Sequence, residues 1–309
     1  MKLPDSIQVL ERGWLSSNNV LLFEGEAATL VDTGYVGHAP QTVALVKSAL
    51  AVRRAPTALR RIVNTHSHSD HIGGNAALQA AFGCSIAIPA GIERMVRDWD
   101  TDALLLDAAK QRGDRFAHDA VIEANSEFEM GGLLWQALAA PGHDMEALVF
   151  HCPAQRLLIS GDALWQDGFG IIFGEIFGRK DALPATRSTL EMIGRLDVDV
   201  VIPGHGAPFA DFDAAMVRAW RRLESFEADS TRVGRNAVRA CFTFNLLDLQ
   251  RLREDELPAY LKSVPFFDTI NQRMLGFTDA EFARWLLDEL LRSRSIALRD
   301  GWIVPTMAP

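Results

Sequence analysis

The amino-acid sequence predicts an α/β fold with a helical appendage at its C-terminal end. In the first half of the chain, short apolar segments typical of strands alternate with segments of helical periodicity. Several of these apolar segments end in a polar turn that contains glycine. From Asp211 onward the apolar spacing becomes helical, and it ends in a hairpin signal. We therefore predict two domains, residues 1–210 and residues 211–309.

The predicted elements of the first domain follow one another in a regular order. Residues 19–24 and 28–32 are predicted to form a hairpin that turns at Gly25-Glu26. Residues 38–51 have the apolar spacing of a helix, and residues 75–82 are predicted to form a second helix that Gly83 closes. A third helix is expected to begin near Pro184. Further strands are predicted at residues 62–63, 86–88, 133–139, 147–151, 157–160 and 198–202.

The second domain carries clear local signals at its C-terminal end. Thr278 and Glu281 have the spacing of a helix-capping box, and Phe277 with Phe282 has that of a hydrophobic staple. The helix is predicted to end near Arg292, and Asp300-Gly301 then separates two apolar runs, which predicts a two-residue hairpin. Helices followed by a hairpin indicate a small winged-helix-like appendage.

The composition narrows the class of protein. The 309 residues carry 31 Lys and Arg against 40 Asp and Glu, so the net charge of −9 disfavours a polyanion as the main partner. The three cysteines lack CxxC spacing, which argues against a disulfide framework and a thiolate zinc site. Polar residues stand where a signal peptide would need an apolar run, and no stretch is long enough to span a membrane. We expect a cytoplasmic protein.

Histidine and aspartate follow the predicted strands at several points. His66, His68, Asp70 and His71 lie in one short segment. In an extended backbone residues two apart project to the same side, so His66, His68 and Asp70 are expected to share a face while His71 points away from it. Because ligand sites collect beyond the carboxyl ends of strands, these side chains are expected to meet at one edge. Gly73-Gly74 follow and would allow a tight turn. The predicted metal ligands are His66, His68, Asp70, His71, His143, Asp162 and His205.

The predicted ligands divide into two sets. His66, His68 and His143 would hold one ion, and Asp70, His71 and His205 the other, with Asp162 and a hydroxide between them. The alternative is that each residue merely ends a strand, but five of the eight histidines in this arrangement make that alternative improbable. His38, His118 and His151 are interpreted instead as ordinary structural residues.

The segment from His66 to His71, followed by Gly73-Gly74, resembles the signature of the metallo-β-lactamase superfamily. The other marks of the family occur in order, as Asp32-Thr33-Gly34, Pro141-Gly142-His143, Gly161-Asp162 and Pro203-Gly204-His205-Gly206. The resemblance covers about residues 7–210. It implies a four-layered αββα sandwich with a dinuclear site at one edge, and it implies that Asp32 orders the loops around the ligands, with Thr65 beside it.

Such a site implies a hydrolytic mechanism. Two metals about 3.5–4 Å apart lower the pKa of a bridging water toward ~7 and polarise the bond to be broken. Asp70 is the predicted catalytic residue, because it could orient the hydroxide and shuttle its proton. Without thiolate ligands, zinc is the first expectation, and iron and manganese are alternatives.

The same chemistry suits several substrates, so the expected substrate is a small ester, thioester or lactone. In the family, the best-known zinc β-lactamases place Cys at the position of Asp162 or lack the bridging carboxylate, which disfavours antibiotic hydrolysis here. Hydroxyacylglutathione hydrolases carry a Tyr-containing motif where Gly206-Ala207-Pro208-Phe209 stands here, which disfavours glutathione specificity. The aromatic segment after Asp162 would wall an acyl pocket or belong to the core. The predicted pocket residues are Trp165, Phe169, Phe173 and Arg179.

Two further segments bear on access to the site and on the choice of partner. Trp99 and a helix at residues 101–111 are interpreted as an insertion that could form a lid. The alternative function is a phosphodiesterase or ribonuclease of the same superfamily. The region from Asp211 to Pro309 has 14 Lys and Arg against 15 Asp and Glu, however, whereas nucleic-acid-binding appendages are normally basic. We therefore expect no nucleic-acid partner, and an appendage that packs on the first domain or mediates a homodimer.

Overall fold

Two large sheets organise the computed structural model, which describes residues 3–53 and 55–307. The first sheet has the order β1-β2-β3-β4-β5-β6, with antiparallel pairing from β1 to β3 and parallel pairing from β3 to β6. Its strands are β1 (Ile7–Leu10), β2 (Asn19–Glu24), β3 (Ala27–Val31), β4 (Ala58–Val63), β5 (Ser85–Pro89) and β6 (Ala120–Ile122).

The second sheet has the order β11-β10-β9-β8-β7, and its pairs are antiparallel except for β10 with β11. Its strands are β7 (Ser126–Met130), β8 (Leu133–Ala139), β9 (Leu148–Cys152), β10 (Leu157–Gly161) and β11 (Val200–Pro203). The strands predicted from apolar runs therefore form, with ends that differ by a few residues.

Helices cover the outer faces of both sheets. On the first sheet, or in the segment leading from it, lie α1 (Ala39–Ala51), α2 (Ser69–Ile72), α3 (Asn75–Phe82), α4 (Glu93–Asp98) and α5 (Leu106–Ala109). On the second lie α6 (Phe173–Ile176), α7 (Ala182–Ile193) and α8 (Phe212–Ala228). Short 3-10 turns occur at Val36–His38, Ala90–Ile92, Pro153–Gln155 and Glu254–Glu256.

Three apolar cores fill the spaces between successive layers, which is the arrangement of an αββα sandwich. One core, with Trp135 and Phe150, fills the space between the two sheets. A second, with Leu30 and Ile86, joins the first sheet to its helices. The third joins the second sheet to its helices and continues through Phe242 into the C-terminal region, which ties that region to the two-sheet part of the chain. The predicted four-layered fold is confirmed.

The C-terminal region has the element order of a winged helix. It comprises α9 (Thr231–Leu249), β12 (Leu252–Arg253), α10 (Leu257–Ser263), α11 (Pro265–Ile270), α12 (Asp279–Arg292), β13 (Ile296–Arg299) and β14 (Trp302–Pro305), with a π-helical turn at Asn271–Leu275. The three strands form a small sheet of order β12-β14-β13. Thr278 and Glu281 form the predicted capping box. A homodimer through this region stays a prediction.

One predicted helix was wrong. Residues 101–105 form turns rather than helix, and only Leu106–Ala109 is helical in the predicted segment 101–111. Leu105 and Lys110 both have positive φ, at 59° and 51°, and this conformation interrupts a right-handed helix on either side of α5.

In residues 3–53 and 55–307, no helix combines the length and apolar character needed to cross a membrane.

Candidate metal centre

The candidate site lies where strands of the two sheets end. Strand β4 leads into the segment that carries His66 to His71, and β8 leads to His143. Strand β10 ends next to Asp162, and β11 ends two residues before His205. The apolar strands are held by the cores, so the polar residues that follow them are brought to a common edge.

The segment after β4 differs from the predicted extended backbone. His68 is extended, with φ −69° and ψ 151°, but Ser69–Ile72 forms the short helix α2. The prediction that Asp70 shares an extended face with His66 and His68 was therefore wrong. The helical turn begins after His68, and it carries Asp70 and His71 to the second predicted ligand set; that placement was predicted, but the helical backbone that produces it was not.

Gly73 and Gly74 are needed for close packing rather than for positive φ. Their φ values, −63° and −85°, are open to any residue. A Cβ atom on Gly73 would lie 2.4 Å from the backbone nitrogen of Val36, and one on Gly74 would lie 2.4 Å from the carbonyl oxygen of Thr33. The two glycines thus let the loop after β3 pack directly against the ligand-bearing segment.

The first donor group contains three imidazoles. One ring nitrogen each from His66, His68 and His143 lies within 4.8 Å of the others. His68 Nδ1 and His143 Nε2 are 2.7 Å apart, and the three side chains are buried or nearly so. Three imidazole nitrogens converging on one point suit a borderline divalent cation.

The second donor group combines one carboxylate with two imidazoles. Asp70, His71 and His205 each contribute one ligand atom within 4.8 Å of the others. Asp70 Oδ2 lies 2.9 Å from His205 Nε2 and 3.7 Å from His71 Nε2. The two sets predicted from the sequence are thus brought together as two neighbouring groups.

Asp162 lies between the two groups. Its Oδ1 is 3.4 Å from His71 Nε2, and its Oδ2 is 3.3 Å from His143 Nε2 and 3.9 Å from His205 Nε2. The carboxylate is only 6% exposed, and Trp165 Nε1 donates a hydrogen bond of 3.1 Å to Oδ1. The carboxylate of Asp162 therefore lies close to ligand atoms of both groups, which is the position of a bridging ligand.

Outer hydrogen bonds fix the orientation of the imidazoles. His71 Nδ1 lies 2.8 Å from Asp32 Oδ2, and His66 Nδ1 lies 2.9 Å from Thr65 Oγ1. Thr65 in turn donates from its hydroxyl to Asp32 at 2.7 Å. His143 Nδ1 lies 2.6 Å from the carbonyl oxygen of Ile171. In all three rings the outer nitrogen is engaged, which leaves Nε2 to face the cluster.

The cluster fits a pair of cations on independent observations. His66 Nε2 and His71 Nε2 are buried, and neither has a hydrogen-bond partner among the described residues. Burying polar atoms in this way costs free energy unless another group satisfies them. The donor set, which contains nitrogen and oxygen but no sulfur, suits zinc, iron or manganese.

The pKa shifts of the histidines also fit a site for cations. Burial lowers the pKa of His66 well below its ordinary value and that of His68 to about 4, and neighbouring imidazoles add to the effect. Burial also lowers the pKa of His71, but Asp32, Asp162 and Asp70 outweigh it and hold this pKa well above the usual value. His66 and His68 therefore offer uncharged imidazoles, and the carboxylates around His71 create a field that stabilises positive charge.

The carboxylate between the groups is held in its charged form. Burial raises the pKa of Asp162, but His71, His205 and His143 outweigh burial and bring it well below the usual range. An ionised carboxylate has two oxygens, and each of them can bind a cation.

A cavity of about 390 Å³ opens onto the cluster. Trp165 and Phe173, two of the predicted pocket residues, line it, as does Ile171. Helix α9 supplies the opposite wall through Ala240, Cys241, Thr243 and Phe244, and the segment of the wrongly predicted helix contributes Leu105, Ala109 and Gln111. The cavity is thus lined by both the two-sheet part of the chain and the C-terminal region.

The other two predicted pocket residues lie elsewhere. Phe169 is 1% exposed and packs on Phe226 in the third core, at 6.1 Å between ring centroids. Arg179 is half exposed and pairs with Asp181 at 2.9 Å, and it is absent from the cavity wall. Phe169 is placed by burial in the core, and Arg179 is placed by its ion pair with Asp181. Neither placement can be read from the composition of the segment.

Sequence reasoning missed two residues at the site. Trp14 lines the cavity, and its ring lies 5.0 Å from that of His205. Asp144 accepts hydrogen bonds from the backbone and hydroxyl of Ser67, at 3.0 and 2.6 Å, and so ties the His66 segment to the His143 loop. The position of Asp144 next to His143 was a usable signal, whereas Trp14 stands in a loop with no distinguishing pattern.

The three remaining histidines lie outside the donor groups. His38 contacts Ser16 at 3.0 Å, and His151 lies on β9 near Gln136 and the Asp197 carbonyl. His118 lies 3.8 Å from Glu93. These contacts agree with their interpretation as structural residues.

Curated relatives carry hydrolase names. A hydroxyacylglutathione hydrolase of Hyphomonas neptunium is 31% identical over 148 residues, which is 45% of this chain and 50% of the relative. A protein of Bacillus subtilis named probable metallo-hydrolase YqgX is 26% identical over 203 residues, covering 63% of this chain and 87% of the relative. The chain thus spans about half the length of the first of these relatives.

Solved structures and a family model agree with the fold. A metallo-beta-lactamase family protein of Thermus thermophilus matches with a TM-score of 0.56 at 18% identity, over 98% of this chain and 99% of that one. The metallo-beta-lactamase MIM-1 of Novosphingobium pentaromativorans matches with a TM-score of 0.53 at 20% identity, over 72% of this chain and 85% of that one. Since the family model matches residues 12–205, which hold every predicted ligand, the chain belongs to the metallo-beta-lactamase superfamily.

Proposed function

We propose that this protein is a dinuclear metal-dependent hydrolase of small esters, thioesters or lactones. The observation that carries the proposal is the placement of Asp162 between two donor groups, directly beneath a cavity. The relatives named as hydrolases support the reaction class.

The residues have distinct roles in this proposal. His66, His68 and His143 would hold one divalent cation, Asp70, His71 and His205 would hold the other, and Asp162 would contribute to both. Two such cations, zinc in our proposal, supply Lewis acidity and lower the pKa of a water toward ~7. Asp32 and Thr65 orient the imidazoles through the hydrogen bonds to their outer nitrogens.

Asp70 is the proposed proton carrier. Its Oδ2 lies 2.9 Å from His205 Nε2, and the residue also lines the cavity. We assign to Oδ1 the acceptance of the proton from the attacking water and its delivery to the leaving group. Trp165 holds Asp162 through its indole N–H, and with Trp14 it flanks His205.

The shape of the cavity favours a small substrate over a polymer. Trp165, Ile171 and Phe173 line one side of the cavity, α9 lines another, and Leu290 of α12 closes part of the space. A volume of about 390 Å³ is within the ordinary range for a small-molecule site. This argues against the alternative function, a phosphodiesterase or ribonuclease.

A substrate panel tests the proposed function. Zinc-loaded protein should hydrolyse 4-nitrophenyl acetate and butanoate, a simple acyl thioester or a γ-lactone, and this activity should disappear on chelation and return with zinc. The same preparation should leave structured RNA and bis(4-nitrophenyl) phosphate intact. Turnover of RNA or the phosphodiester alone would contradict the proposal and favour the alternative.

The two phenylalanines of the loop should behave differently when truncated. Phe173 lines the cavity and packs against His68 at 4.7 Å, so Phe173→Ala should weaken long acyl chains more than acetyl. Each substrate methylene that is no longer buried should cost about 0.8 kcal/mol, or about 4-fold in kcat/KM. Phe169→Ala should instead cost about 3–5 kcal/mol of stability, because Phe169 is core.

Acyl-length profiles and melting temperatures of both variants separate these outcomes. Equal chain-length profiles for Phe173→Ala and the unchanged protein would remove Phe173 from the acyl pocket. A melting temperature unchanged by Phe169→Ala would contradict its core role.

A further inference from the structure

Arg222 of α8 occupies an unusual place at one end of the cavity. Together with Asn236 and Arg239 it lines the main cavity, and the same three residues also line a second cavity of about 360 Å³. They therefore stand at the junction between the space above the donor groups and a polar space beyond it.

The side chain of Arg222 is fixed by its surroundings. Its guanidinium lies 5.3 Å from the ring centroid of Phe169 and 5.5 Å from that of Phe226, and it donates to Asn236 Oδ1 at 3.0 Å. A Cβ atom on Gly168 would lie 2.8 Å from Arg222 Cδ, so this glycine lets the loop close over the side chain. The guanidinium is thus held in place before any ligand arrives.

Arg222 is held there without a counter-ion. Among the described residues no carboxylate lies within 4.0 Å of its guanidinium. The carboxylate of Glu289, the one acidic group lining the second cavity in the described part of the chain, already pairs with Arg239 at 3.2 Å and with Arg292. Arg232 and Arg235 add further positive charge to the second cavity.

This arrangement costs free energy in the absence of a ligand. Burial lowers the pKa of Arg222 to about 10, with a smaller contribution from the nearby Arg239, yet the group remains charged at neutral pH. A largely buried, hydrogen-bonded cation beside a second cation is stabilised by an incoming anion.

We propose that the substrate carries an oxyanion group, a carboxylate or a phosphate, that binds Arg222 while the bond to be cleaved lies at the donor groups. The inference rests on the proposed function and narrows its substrate class to anionic esters and thioesters. The apolar walls between the two ends would hold the connecting chain. Asn236 and Arg239 are the neighbouring donors that would complete the contact.

A purely structural role of Arg222 would lead to a different experimental result. If Arg222 only braces the loop through Gly168 and Phe169, its removal should impair all substrates equally and lower the melting temperature. If it binds an anion, its removal should act on the charged member of a substrate pair alone.

Matched substrate pairs test the proposal. The carboxylate pair is mono-4-nitrophenyl glutarate and the neutral diester in which its free carboxylate is methylated. The phosphate pair is S-butanoyl phosphopantetheine, which is charged, and S-butanoyl pantetheine, which is neutral. The unchanged protein should prefer the charged member of one pair by about 10-fold or more in kcat/KM, which is the size expected of a charge-assisted hydrogen bond. Arg222→Met should abolish this preference, and Arg222→Lys should restore part of it.

Arg221→Met is the matched control, because Arg221 is the adjacent, exposed residue of the same helix. It should leave the preference and the melting temperature unchanged. Calorimetric titration with glutarate and with inorganic phosphate gives a readout apart from activity, and at least one of the two should bind in an Arg222-dependent manner. The pair that shows the preference identifies the oxyanion.

Equal turnover of both members of both pairs, or an equal loss on both members in Arg222→Met, would overturn the proposal, as would the absence of Arg222-dependent binding. Metal-dependent hydrolysis of the neutral members in that case would leave the proposed function standing. If neither these pairs nor the ester, thioester and lactone of the substrate panel are hydrolysed, the proposed function fails, and the calorimetric result still decides the anion site.

Discussion

Asp162→Ala should reduce the metal content from two ions per chain to one or none and lower kcat/KM by more than about 100-fold. Loss of a hydrogen-bonding partner that merely supports a ligand typically costs roughly 10- to 100-fold in affinity or activity, and a shared ligand should cost more. The carboxylate of Asp162 lies within 3.3–3.9 Å of imidazole nitrogens in both donor groups, so its removal should weaken both.

Two further variants make this experiment specific. Asp162→Asn keeps the shape and can keep the contact with Trp165 Nε1 while losing the charge, and it should also lose metal. Asp248→Asn is the matched control, because this carboxylate is largely buried against Tyr35 and Arg112, away from the donor groups. It should retain two ions. Full metal content and activity in Asp162→Ala would show that the carboxylate is not shared.

Asp32→Asn should destabilise the metal-free protein by about 3–5 kcal/mol, the usual result of breaking a buried charged pair. Asp32 accepts from the backbone N–H of Thr65 at 2.9 Å and from its hydroxyl at 2.7 Å, and it lies 2.8 Å from His71 Nδ1. Asn tolerates the positive φ of 56° at this position, so the variant isolates the loss of charge from backbone strain.

Denaturant unfolding and metal titration measure the two consequences. Metal affinity should also fall, by roughly 10- to 100-fold, because His71 loses the partner that orients it. Thr65→Val removes one hydroxyl with little change of shape and should cost only about 1–2 kcal/mol. If Asp32→Asn unfolded at the same denaturant concentration as the unchanged protein, Asp32 would not be the residue that orders these loops.

The sandwich could be predicted from the sequence because its determinants are local. Each strand before the site is a short apolar run that ends in a polar turn, and the cores of the structure are built from those runs. The capping box at Thr278 and the hairpin at Asp300-Gly301 have the same local character. Signals of this kind do not depend on distant residues.

The failures concern features that tertiary packing decides. The turn at Ser69–Ile72 accepts backbone hydrogen bonds from Ser17 and Thr33, and α5 packs on α11, so neither feature follows from the local spacing of residues. Phe169 and Phe173 are four residues apart in one aromatic segment, yet the first is core and the second lines the cavity. Arg222 lies about 150 residues from the His66 segment and reaches the cavity only because α8 packs beside α9.

The most direct test of the central claim is a titration of chelated, metal-free protein with zinc, with bound metal and ester hydrolysis measured on the same samples. Two donor groups that share Asp162 predict that binding saturates at two ions per chain and that activity appears with the second equivalent. Full activity at one ion per chain, or activity that persists without metal, would contradict a dinuclear hydrolytic site.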